Sequence, residues 1–134
     1  NATAQNVSDL NALLAATTGT VTATIDGNAA ELASLTANAS SAATNTLTIT
    51  VDDASTAARG AAIVDATAAG TVDFSAAGVN DTFANIVNAG NNAVSANMAK
   101  IDAKDANVAV TVSDTIANAT AQNVSDLNAL LAAT

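Results

Sequence analysis

The sequence predicts an α/β chain built as an open βα solenoid, with a parallel sheet on one side and short Ala-rich helices on the other. Three observations predict it. Residues 1–17 (NATAQNVSDLNALLAAT) return without a substitution as residues 118–134, so the chain spans slightly more than one period of 117 residues. Four segments, starting near residues 20, 46, 71 and 108, alternate apolar residues with polar ones, mostly threonine. Each is followed by an Ala-rich stretch at helical spacing, and a strand, a helix and another strand in succession impose parallel pairing through crossovers. The starts lie 26, 25 and 37 residues apart, which gives about four βα units per period. The units run over 20–45, 46–70, 71–106 and 107–134, and 1–134 reads as one segment of a tandem array with arbitrary ends. A doubly wound sheet is buried on both faces, and its strands read as continuous apolar runs. Strict alternation with Thr leaves one face polar and favours the solenoid.

Taken in order, residues 2–16 predict a helix, because Val7, Leu10 and Leu14 fall at i, i+3 and i+7 with Leu13 beside them. Gly19 offers a left-handed stop. TVTATID (20–26) alternates Val21, Ala23 and Ile25 with threonines, a strand with one apolar and one hydroxyl face. Asp26-Gly27-Asn28 turns the chain into a short helix over 29–38, with Leu32 and Leu35 inward. TLTITVD (46–52) is the second strand, with Leu47, Ile49 and Val51 inward, and Asp52-Asp53 begin a helix over 54–68 that Gly70 stops. TVDFS (71–75) is the third strand. The next unit is longer: helices over 81–88 and 92–103 are separated by Gly90-Asn91-Asn92. NVAVTVSD (107–114) is the fourth strand, and Asp114 leads through Ile116 back into the repeated helix.

Composition narrows the function classes. Half the residues are apolar, but most of these are Ala, and there are two Phe, one Met and no Trp, Tyr, Pro, His or Cys. Apolar burial at roughly 25 cal/mol per Å² must then come from thin layers of Ala, Val, Ile and Leu, which suits stacked repeats. Low charge and regular periodicity argue against disorder. Twelve acidic residues against three basic ones give a net charge of −9. Phosphate contacts need a basic face, so no nucleic-acid partner is expected, and attraction to anionic lipid is disfavoured alike. No apolar run approaches the ~18 residues that span a bilayer, so no membrane insertion is expected; an export signal would lie outside these residues. Without His, Cys or Tyr there is no triad, zinc site or phosphate loop, and no enzyme is expected.

Three residue sets remain as candidates. Aligning the strands by their inward residues puts Thr24, Thr50, Ser75 and Thr111 in one outward row and Thr22 and Thr48 in the next. Spaced about 4.8 Å apart, they form a surface hydroxyl ladder. Ice binding by such a ladder is one reading; the other is that Thr has high β propensity and suits a solvated face. Asp26, Asp52, Asp53 and Asp114 follow strands. Their stacked carboxylates are candidate Ca²⁺ ligands, although helix N-capping accounts for the same placement and no D-x-D-x-D-G loop occurs. No other cofactor is expected. Lys100 and Lys104 lie one turn apart in the longest unit and are candidates for lateral contact with an acidic neighbour; an intrahelical charge pattern is the plainer account. The longer stretch 76–106 interrupts the outline once per period and is the candidate lateral surface.

The phrases TVTATIDGNAAELASL, LTITVDDASTA and VTVSDTIANATAQ resemble the tandem βα repeats of giant secreted and cell-surface proteins of cyanobacteria and other Gram-negative bacteria. The resemblance covers nearly the whole chain and implies an extracellular or cell-surface location with a structural, adhesive or coat role. The glycine-rich calcium nonapeptides that often accompany such proteins are absent. The expectation is a structural repeat protein that forms a filament, sheath or surface layer by continuous stacking, with itself as partner. The alternative is a repeat segment of an adhesin, calcium-dependent or ice-binding.

Overall fold

The computed structural model describes residues 1–36, 45–67, 69–74 and 78–134. Thr3 opens helix α1 (Ala4–Ala16): its hydroxyl accepts the Asn6 amide while the Asn6 side chain accepts the Thr3 amide. Strand β1 (Thr22–Gly27) follows, and the Asn28 side chain then caps helix α2 (Ala29–Leu32) through the Glu31 amide. Strand β2 (Thr46–Val51) leads to helix α3 (Ala57–Asp65), capped by Thr56. Strand β3 (Thr71–Asp73), strand β4 (Val79–Asp81) and helix α4 (Phe83–Ile86) come next. Strands β5 (Val87–Asn88) and β6 (Ala93–Val94), helix α5 (Ala96–Asp102), strand β7 (Val110–Val112) and helix α6 (Ala121–Ala133) complete the chain.

The fold is mixed α/β. Among the described residues there are a three-stranded parallel sheet β1-β2-β3, a parallel pair β4-β7, an antiparallel pair β5-β6 and six helices, and no sheet closes on itself. The expected parallel pairing holds for β1, β2 and β3. Their alternation sorts as expected: Leu47, Ile49, Val51 and Val72 are buried, while Thr22, Thr24, Thr48 and Thr71 are exposed. One apolar cluster joins this inner face to Leu32, Ile63, Phe74, Ile86, Met98 and Ile101. Helices α3 and α5 pack closely because Gly60 has no side chain; a Cβ there would lie 2.5 Å from Ile101 Cδ1.

The longer unit holds the two expected helices at shorter bounds, with a hairpin between them. Helix α4 ends at Ile86, and Val87 and Asn88 pair with Val94 and Ala93 in a hairpin. The four-residue turn is made by Gly90 (φ 84°) and Asn92 (φ 52°), left-handed positions that Gly and Asn fill readily. Helix α5 then starts at Ala96 rather than at 92. The fourth strand is shorter than 107–114 and pairs with β4, which the sequence pattern did not announce. Gly78 explains the interruption before β4: it has φ 66°, and a Cβ there would lie 2.2 Å from the Ala109 carbonyl oxygen. Gly70 likewise does not stop a helix, since α3 ends at Asp65; it lets the chain pass close to the Leu47 carbonyl.

Candidate assembly interface

Polar side chains close each unit on its own first strand and fasten it to the helix of the unit before it. At the strand starts, the amides of Val21, Leu47 and Phe74 donate to Asn45 Oδ1 (3.4 Å), Thr67 Oγ1 (3.0 Å) and Asp105 Oδ2 (2.8 Å). At the helix starts, the first helical amides of α2, α3 and α4, on Ala29, Ala57 and Phe83, donate to Asp53 (2.5 Å), Asp81 (3.0 Å) and Asp114 (2.6 Å). These amides lack intrahelical partners, and a carboxylate also suits the positive helix end. Each carboxylate comes from 24 or 31 residues downstream, so it caps the helix of the preceding unit rather than its own. Own-unit capping falls to Asn28, Thr56 and Ser95.

Asp53 and Asp114, two of the four calcium candidates, are therefore engaged by backbone amides. Asp26 is exposed and lies 3.2 Å from the N-terminal ammonium, and Asp52 is exposed beside Asp53. Among the described residues no group of three or more metal-ligating side chains converges. Among the carboxylates that cap helices, the one that sequence reasoning missed is Asp81, which is buried and also accepts from the Thr82 amide and Asn85 Nδ2. Its burial pushes the pKa up, but the hydrogen bonds from Asn85, Thr82 and Ala57 outweigh it and leave the pKa lowered.

The threonine rows form in a different register from the expected one. Thr22 faces Thr46, and Thr24 faces Thr48, which faces Thr71; Thr50 lies between Asp26 and Asp73. Thr111 pairs with Asn80 in the other parallel sheet, and Ser75 lies outside the described residues. The cause is the 24-residue clamp at each end of β1, Val21 to Asn45 and Ala29 to Asp53, which shifts the inward residues by two, so that Ala23 faces Leu47 and Ile25 faces Ile49. Lys100 and Lys104 reach back to the preceding unit of the same chain: Lys100 Nζ lies 2.7 Å from Asp65 Oδ2, and Lys104 Nζ donates to the Gly70 carbonyl at 2.9 Å.

The repeated helix carries the most informative geometry. Its two copies have the same bounds and the same reciprocal cap, Thr3 with Asn6 and Thr120 with Asn123. They bury opposite faces. In α1, Val7 and Leu14 are 1% and 0% exposed and Leu13 is 52% exposed. In α6 the counterparts of Val7 and Leu14, Val124 and Leu131, are 50% and 68% exposed, and Leu130, the counterpart of Leu13, is 4% exposed. The polar residues follow suit. Asn11 in α1 donates to the Ser34 carbonyl and accepts the Thr36 amide, both at 2.8 Å, whereas Asn128 is exposed. Asp9 is exposed, whereas Asp126 is buried and accepts the amides of Gly90 and Asn92, each at 2.9 Å, together with Gln122 Nε2. The Gly90 amide chiefly, with Asn92 and Gln122 and against the cost of burial, lowers the Asp126 pKa.

At about 100° per residue, Val7, Asn11 and Leu14 form one stripe, and Gln5, Asp9 and Leu13 form another on roughly the opposite face. The first stripe faces the unit that follows the helix. The second, as seen in α6, faces the β5–β6 hairpin of the unit that precedes it. Residues 87–94 of the longer unit thus build the surface that receives α6. An open cleft beside the start of α1, lined by Asn6, Leu10, Thr24, Ile25 and Asp26, adds no second titratable side chain to that carboxylate. No helix among the described residues is long and apolar enough to cross a membrane. No known protein family model, no curated protein and no solved structure matches this chain.

Proposed function

We propose that the chain is a structural repeat segment, one period of an extracellular filament, sheath or surface layer built by continuous βα solenoid stacking. One observation carries the reading: the same helix is seated by its Val7 face at one end of the period and by its Leu13 face at the other. A single helix placed between two periods satisfies both seats at once, and its otherwise exposed leucines become core. The unit-to-unit caps support the reading, because each uses a residue of the next unit to close the previous one. Stacked repeats owe their stability to such nearest-neighbour contacts. Calcium and enzymatic chemistry have no part in this reading.

A chain of two periods, residues 1–117 followed by 1–134, tests it. The protein has no cysteine, so L131C supplies a single thiol. In the one-period chain that thiol reacts freely with a maleimide. In the central helix of the two-period chain it is shielded. Equal reaction rates in the two chains would sink the stacking reading.

A second reading, ice binding, draws on the pairing of Thr22 and Thr24 with Thr46 and Thr48 on an exposed face. Thermal hysteresis that disappears on T24K and T48K would support it, and none at millimolar protein would end it.

A further inference from the structure

We draw no further inference here: the strongest candidate, the surface patch on the exposed threonine face where Asp26 and Asp73 flank Thr50 and Asp52 follows it, is an acidic cluster, and nothing among the described residues points to the ligand or partner that covers it.

Discussion

Helices α1 and α6 share thirteen residues, one capping arrangement and one length, yet they have opposite insides. Local structure is therefore settled by the segment itself: the Thr-x-x-Asn cap and a run of good helix formers give the same helix twice. Burial is settled by the neighbour. A helix with leucines on several faces is poorly amphipathic when judged against one core and well designed when placed between two. The two ends of the period thus show one helix from its two sides, and the unsatisfied side of each copy points to what completes it.

The largest effects that would break this comparison come from the leucines. Leu14→Ala should cost about 2–5 kcal/mol in urea unfolding, as for other fully buried leucines. Leu131→Ala, the same change on the exposed face of α6, should cost within about 0.5 kcal/mol. The order reverses on the other stripe: Leu130→Ala disturbs the protein and Leu13→Ala does not. The loss at Leu130 falls on the docking of α6 against the β5–β6 hairpin. It is best read as faster exchange at the Gly90 and Asn92 amides. Equal costs at Leu14 and Leu131 would mean that the two copies are not held on opposite faces. A smaller effect is expected from the polar members of the stripes. Asn11→Ala removes two hydrogen bonds to the segment after α2 and should cost about 1 kcal/mol, whereas Asn128→Ala should be silent.

Much of this was legible in the sequence where the signal was local. The period-2 alternation of β1 and β2 named their inner faces, and the exact recurrence of residues 1–17 named a helix that forms twice. What escaped depended on register. An Asp after a strand announces a cap, but Asp53 caps α2 and Asp114 caps α4, and nothing near either residue says that the helix lies one unit back. The threonine rows went astray by the same route, since matching the inward residues Val21, Ala23 and Ile25 to Leu47, Ile49 and Val51 sets Thr24 against Thr50, while the clamps at both ends of β1 set it against Thr48. The β5–β6 hairpin was invisible because two-residue strands carry no period, and its Ile86-Val87 and Val94 fit a helical stripe equally well. No reading of one sequence could give α1 and α6 different faces.

Acid should separate the two copies by chemistry rather than by mutation, with the smallest effect of the set. The seat of α6 turns on a buried carboxylate, whereas the inner face of α1 is held by Val7, Leu14 and the Asn11 bonds, which keep their character at any pH. The pKa of Asp126 is lowered by its seat, so its contribution is complete above the ordinary carboxylate value of about 3.9 and is lost as the pH falls through the lowered one. On acidification below about pH 4, exchange at Gly90 and Asn92, corrected for intrinsic pH dependence, should accelerate before exchange at the Thr36 amide, which Asn11 holds. Asp81 has a lowered pKa too, but it caps α3 and would loosen the body of the protein rather than the hairpin. D126N separates the two contributions. It removes the titration at the seat and keeps an acceptor oxygen, so the hairpin amides should lose their early acid response while that of the Ala57 amide is kept. An unchanged acid response at Gly90 in D126N would place the titrating group elsewhere and leave the shape of the hairpin, rather than the carboxylate, as what holds the repeated helix.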